Sequence, residues 1–202
     1  MNPAVKPEDV LAFWFGREAG DSATAESQKK LWWSKDAVID AEIRERFGTL
    51  VATAAGGAHR EWAREPRGRL ALILLFDQFP RNIYRDTPQA FAHDSLALRL
   101  ALDGIDSGAD RDLRAIEKVF FYLPLEHAES ADIQARSVAL FEGLRDGAAV
   151  AERRIFDGYL DFALRHRDIV QRFGRFPHRN RILGRASTAA EIDFLQQPGS
   201  AF

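Results

Sequence analysis

Seven consecutive apolar residues, Leu70-Ala71-Leu72-Ile73-Leu74-Leu75-Phe76, leave no polar stripe on whatever element they form. An element without a polar face must be covered on all sides, so this run sets the centre of the fold. A buried strand and a buried helix both meet that demand. The strand is rejected because no alternating, β-branched segment elsewhere could pair with it. The expectation is a central helix, opened by Pro66 and stopped before Pro80.

The other apolar positions recur at helical spacing. Pro7 followed by Glu8 and Asp9 places a proline and two acids in a first turn, and Gly16 ends that helix. A Gly/Ser/Thr/Ala-rich stretch then reads as a loop up to Asp36, an N-cap residue. Behind it Ile39, Ile43, Phe47, Leu50, Val51 and Ala54 draw one apolar stripe that stops at Gly56-Gly57. Thr87-Pro88 reads as a cap and first residue of a helix reaching towards Gly104. Further helices are expected at about 112–123, 131–144, 149–173 and 188–195, the last with Thr188 and Glu191 as a capping box. With no strand signal and no composition shift, this is one all-α domain over residues 1–202, an α-solenoid-like superhelix or irregular bundle.

Composition excludes several functions. There is no cysteine, which removes disulfides, thiolate zinc sites and thiol nucleophiles and is compatible with a cytoplasmic protein. The longest apolar run is far short of the roughly 20 residues of a membrane span, which argues against a membrane partner. A net charge of −2 offers no global attraction to nucleic acid. The histidines at 59, 93, 127, 166 and 178 show no metal-ligand spacing, and no P-loop, dinucleotide fingerprint or nucleophile elbow is present to name a cofactor.

Chemistry-bearing residues gather in a few places. Between residues 165 and 185 there are seven arginines against the single Asp168, a local charge of +6. Guanidinium forks suit carboxylate and phosphate, so the cluster is a candidate anion site; equally, these arginines can lie over aromatic rings or bond helix-end carbonyls. His166 shares a helical face with Tyr159, Phe162, Ile169, Val170 and Phe173 and so points inward, as a core histidine or a proton carrier. Glu126 and His127, after a break at Pro124, are neighbours that cannot face each other and read as pocket lining rather than a dyad. Asp77 begins on a buried face and needs a partner, for which Arg81 stands one turn on. One echo is internal: Phe79-Pro80-Arg81-Asn82 follows the central helix, and Phe176-Pro177-His178-Arg179-Asn180 follows the long one.

The stretches around Phe76-Asp77-Gln78-Phe79-Pro80-Arg81-Asn82, Phe120-Phe121-Tyr122-Leu123-Pro124-Leu125-Glu126-His127, Arg136-Ser137-Val138-Ala139-Leu140-Phe141 and His166–Asn180 resemble the bacterial family catalogued as domain of unknown function 924. The similarity runs from Phe13 to Phe194. It implies a helical fold like tetratricopeptide-repeat superhelices and no known activity. The family's Glu-His-Ser-Glu form stands here as Glu126-His127-Ala128-Glu129, without the hydroxyl.

The leading expectation is a polar pocket for an anionic small molecule, built from Arg81, Asn82, Glu126, His127, His166, Arg175, His178, Arg179 and Asn180. The rival is a scaffold whose superhelical groove takes a peptide or protein. RNA binding through the arginine stretch ranks third.

Overall fold

The computed structural model describes residues 5–200, and among these the regular structure is entirely helical. Nine α-helices follow one another: α1 (Pro7–Phe15), α2 (Asp21–Trp33), α3 (Ala37–Ala55), α4 (Pro66–Ile83), α5 (Asp94–Ser107), α6 (Ala115–Glu126), α7 (Ala131–Gly147), α8 (Arg153–Phe173) and α9 (Ala189–Leu195). Short 3₁₀ turns stand at Arg60–Arg64, Pro88–Phe91 and Pro177–Arg179. No described helix is long and apolar enough to cross a membrane.

The apolar run lies where its composition demands. Every residue from 70 to 80 is buried, and α4 is packed by α1, α3, α5 and α6. Beyond this centre, neighbours in sequence are neighbours in space: α3 with α4, α4 with α5, α6 with α7, and α7 with α8. Trp14, Phe79, Phe120 and Phe121 fill the core, while Ile169, Val170 and Phe176 form a second, smaller cluster.

Four expectations are corrected. The stretch read as a loop before Asp36 contains α2. Its apolar side is thin, with only Thr24 and Trp32 buried, so no stripe announces it. What fixes α2 is tertiary: Trp32 Nε1 donates to the Trp14 carbonyl (2.8 Å), and Asp21 pairs with Arg114 at the start of α6 (2.9 Å). Second, α4 does not stop before Pro80 but runs through it to Ile83. A proline inside a helix costs about 3 kcal/mol. Phe79 and Ile83 are both buried, and each contributes about 1.5–3 kcal/mol when removed from water, so packing outweighs the loss. The same holds at Pro124, which lies inside α6 rather than breaking it. Third, Thr87-Pro88 opens a 3₁₀ turn, the Thr87 hydroxyl donating to the Tyr84 carbonyl (2.7 Å), and the helix proper begins at Asp94. Gly104 is not its end but an interior point of contact with Phe121. Fourth, α8 starts at Arg153 rather than 149. Asp36 caps α3, and Thr188 with Glu191 closes a capping box on α9, as read.

Two glycines separate packing from propensity. A Cβ on Gly68 in α4 would lie 2.2 Å from the Trp62 carbonyl oxygen, which the backbone cannot yield, whereas one on Gly143 in α7 would meet nothing within 4 Å. We expect Gly68→Ala to lower stability by about 1–3 kcal/mol and Gly143→Ala to raise it by about 0.5–1 kcal/mol, read as opposite shifts in thermal midpoint. Equal small shifts of the same sign would contradict this packing.

Candidate functional site

The two proline-bearing segments meet. Arg81, from the last turns of α4, donates both terminal nitrogens to Asp94 at the start of α5 (3.0 and 3.1 Å). Arg179, from the turn Pro177–Arg179, approaches the same carboxylate at 3.6 Å. Both guanidiniums also lie over the Phe91 ring, with centroid distances of 5.6 Å for Arg81 and 4.9 Å for Arg179. Asp94 and Phe91 thus join the two corners. Neither has a local sequence signal, since a helix running on from Pro88 makes Asp94 an ordinary mid-helix acid, whereas the 3₁₀ turn Pro88–Phe91 puts it at a helix start.

Beneath this bridge lies Asp77, fully buried. Its carboxylate accepts from Gln78 Nε2 (2.5 Å), faces Arg81 Nη1 at 3.3 Å and stands 2.7 Å from His127 Nδ1. Burial alone would raise its pKa, but Arg81 and then His127 overcome this and hold it well below the ordinary carboxylate range. An ionised Asp77 can only accept, so His127 carries its proton on Nδ1. Nε2 of His127 bonds to no described residue. Burial depresses the His127 pKa, and the nearby arginines add to this against the lift from Asp77, so the imidazole is neutral. The expected Asp77–Arg81 ion pair is present, with a histidine as third member.

Glu126 and His127 do not pair with each other, as expected of adjacent helical residues. Continuation of α6 through Pro124 puts Glu126 in its last turn and makes His127 the C-cap. Glu126 turns instead to His166 of α8, where Oε1 lies 3.0 Å from Nδ1. That nitrogen also donates to the Phe162 carbonyl (2.8 Å). Both side chains are buried, and no arginine neutralises Glu126. Burial, reinforced by Asp77, pushes its pKa up to about 8, while burial and His127 pull His166 down to about 2. The pair is therefore neutral on both sides. The rings of His127 and His166 stand 6.2 Å apart, and Phe176 packs against His166, His178 and Arg179.

Three predicted residues stand outside this cluster. Asn82 turns to the other side of α4 and donates to Asp40 of α3 (2.9 Å), which also binds Arg85 (2.7 Å). Arg175 forks onto Glu191 (2.7 and 2.8 Å), and with Arg172 and Thr188 it borders a separate recess of about 500 Å³. Asn180 bonds Ser187 and Arg185 (both 3.0 Å), shaping the loop before α9. Most of the arginine excess is engaged in the same way: Arg185 on Glu129, Arg167 on Asp168, and Arg172 over Phe173 and Phe194. Among the described residues no group of three or more His, Cys, Asp or Glu side chains could hold a metal ion.

The cluster leaves a signature in pH. Unfolded, its histidines titrate near 6.5; folded, His178 is pulled to about 4 and His166 to about 2, with burial the largest cause in each, and His127 is also lowered. Between about 6.5 and 4 the unfolded chain therefore binds more protons, and stability falls on acidification. Glu126 works oppositely: folded, it keeps to about 8 a proton that the unfolded chain loses from 4.5 upwards, so it lowers stability as pH rises. Three imidazoles outweigh one carboxyl below 6.5, and Glu126 acts alone above. A maximum near pH 6.5 is expected, with an alkaline decline of up to about 1.4 kcal/mol per pH unit. Glu126→Gln should flatten that decline in thermal melts between pH 5 and 9; an unchanged alkaline slope would show that Glu126 is ionised in the fold.

The comparisons with known proteins agree with this architecture. A solved structure of a protein of unknown function from Agrobacterium tumefaciens, ATU0120, is 37% identical, with a TM-score of 0.79 over 94% of this chain and 96% of that one. No curated protein matches. The family model described as "Bacterial protein of unknown function (DUF924)" matches residues 10–199, and the chain belongs to that family.

Proposed function

We propose that the protein binds a small anionic molecule at the mouth of this cluster and removes a proton from it, or from a water beside it, with His127 as general base. The supporting observation is the 2.7 Å contact between His127 Nδ1 and Asp77. An ionised, buried aspartate fixes the tautomer, aims the unprotonated Nε2 away from itself, and stabilises the imidazolium formed when Nε2 takes the proton. The depressed pKa keeps the base free at neutral pH. No serine or threonine hydroxyl bonds His127 among the described residues, and position 128 is alanine, so the proton comes from water or substrate. Arg81, Arg179 and His178 border the base. Glu126 and His166 support it from within, and Asn82, Arg175 and Asn180 act as struts. Consecutive helix pairing would also suit a superhelical peptide scaffold, but such a scaffold has no use for an ionised aspartate beneath a histidine.

The test is turnover of a panel of carboxylated and phosphorylated metabolites in D₂O, followed by proton NMR, which registers both hydrolysis and solvent exchange of carbon-bound protons. For any substrate found, His127→Gln should lower kcat by about 10²–10⁴-fold with little change in KM, and Asp77→Asn should give a smaller loss. Full activity in His127→Gln, or nitrogen shifts placing the His127 proton on Nε2, would overturn the reading.

A further inference from the structure

Arg179 is only 6% exposed, yet its guanidinium is not fully used. It lies over the rings of Phe91 (4.9 Å) and Phe176 (4.5 Å). From one side, Nη1 donates to the backbone carbonyl of His127 (3.1 Å) and faces Asp94. On the other side Nε is buried and has no hydrogen-bond partner, and the edge formed by Nε and Nη2 donates to no described residue. A buried cationic donor left unbonded is costly and calls for a reason. That edge is the one that presents two parallel N–H groups, the arrangement complementary to a pair of oxygens on one atom.

We infer that the side edge of Arg179 binds the carboxylate of a small carboxylic acid substrate, holding it beside the Nε2 of His127. The inference rests on the proposed role of His127 and specifies the substrate class. Two observations favour this geometry. The guanidinium is anchored to the carbonyl of the base itself, so an anion on its free edge sits at a fixed offset from His127. Packing against both rings, together with the Nη1 bond, also limits the guanidinium's freedom, so less order is lost when a ligand arrives. Charge decides between oxyanions. Arg81 and Arg179 are already balanced by Asp77 and Asp94, while Glu126 and the imidazoles are neutral. A carboxylate adds one negative charge to that balance, and a phosphate dianion adds two beside two existing carboxylates.

The experiment titrates the folded protein with acetate, benzoate and inorganic phosphate while following the Nε–H resonance of Arg179 in ¹H–¹⁵N spectra. The expected result is a saturable shift with both carboxylates, phosphate binding at least about ten-fold more weakly, and a loss of about ten-fold or more in carboxylate affinity in Arg179→Lys, which keeps the charge but not the fork. No saturable shift with either carboxylate, or tighter binding of phosphate, would overturn the assignment. Should Arg179→Lys fail to fold, the wild-type Nε–H titration decides alone. Repeating it on His127→Gln separates the two ideas: carboxylate binding retained while His127 proves inert in turnover sinks only the general-base reading. Turnover dependent on His127, with no carboxylate effect at Arg179, sinks only this one.

Discussion

A carboxylate directly after the apolar run of the central helix is the constraint from which the site follows. Asp77 is carried inward by the same helical periodicity that buries Ile73 and Leu74, and a buried charge without partners would not be tolerated there. It therefore fixes what may surround it: a guanidinium one turn on, an amide next door, and an imidazole from the end of α6. Arg81, turned inward by Asp77, needs a further acceptor and draws the start of α5 into place through Asp94. Asp94 in turn lies near Arg179, which reaches the same point from the turn that follows α8. Each charge in the sequence of contacts is positioned by the need to neutralise the one before it.

The two prolines serve that arrangement. Both Pro80 and Pro124 sit inside helices that continue past them, for three residues in α4 and two in α6, and in both cases the extension carries polar side chains: Arg81 and Asn82 in α4, and Glu126 in α6 with His127 as cap. Had either helix ended at its proline, these side chains would fall on loops rather than on rigid, buried surfaces. Burial of the flanking aromatic and aliphatic groups holds the helix together across the missing hydrogen bond.

How much of this could be read from the sequence depends on range. Local signals served well: the apolar run, the Asp36 and Thr188 caps, and the inward face of His166 follow from spacing within a few residues. The repeated Phe-Pro-Arg-Asn and Phe-Pro-His-Arg-Asn segments suggested a shared recess, and their arginines do converge. Their asparagines do not, because one residue of helical rotation turns Asn82 to α3, while Asn180 lies in a loop. What escaped was fixed by long-range contacts. α2 lacks an apolar stripe and is held by Trp32 and Asp21. Asp94 became visible only once the 3₁₀ turn before it was separated from α5. Pairing of His127 with Asp77, and of His166 with Glu126, joins helices about 40 to 50 residues apart in sequence and has no local signature.

The two buried acids show how one fold separates opposite proton chemistries. Asp77 and Glu126 share a neighbourhood, and each lies beside an imidazole. Asp77 alone has a guanidinium within contact distance, so it is ionised and orients a base. Glu126 has no such cation, and the charge on Asp77 itself disfavours a second negative charge nearby, so Glu126 retains its proton. The position of Arg81, one helical turn after Asp77, thus decides which acid is the anion and which is the reserve of a proton. Exchanging the two roles would require moving that single guanidinium from α4 to the end of α6, which the helix register does not allow.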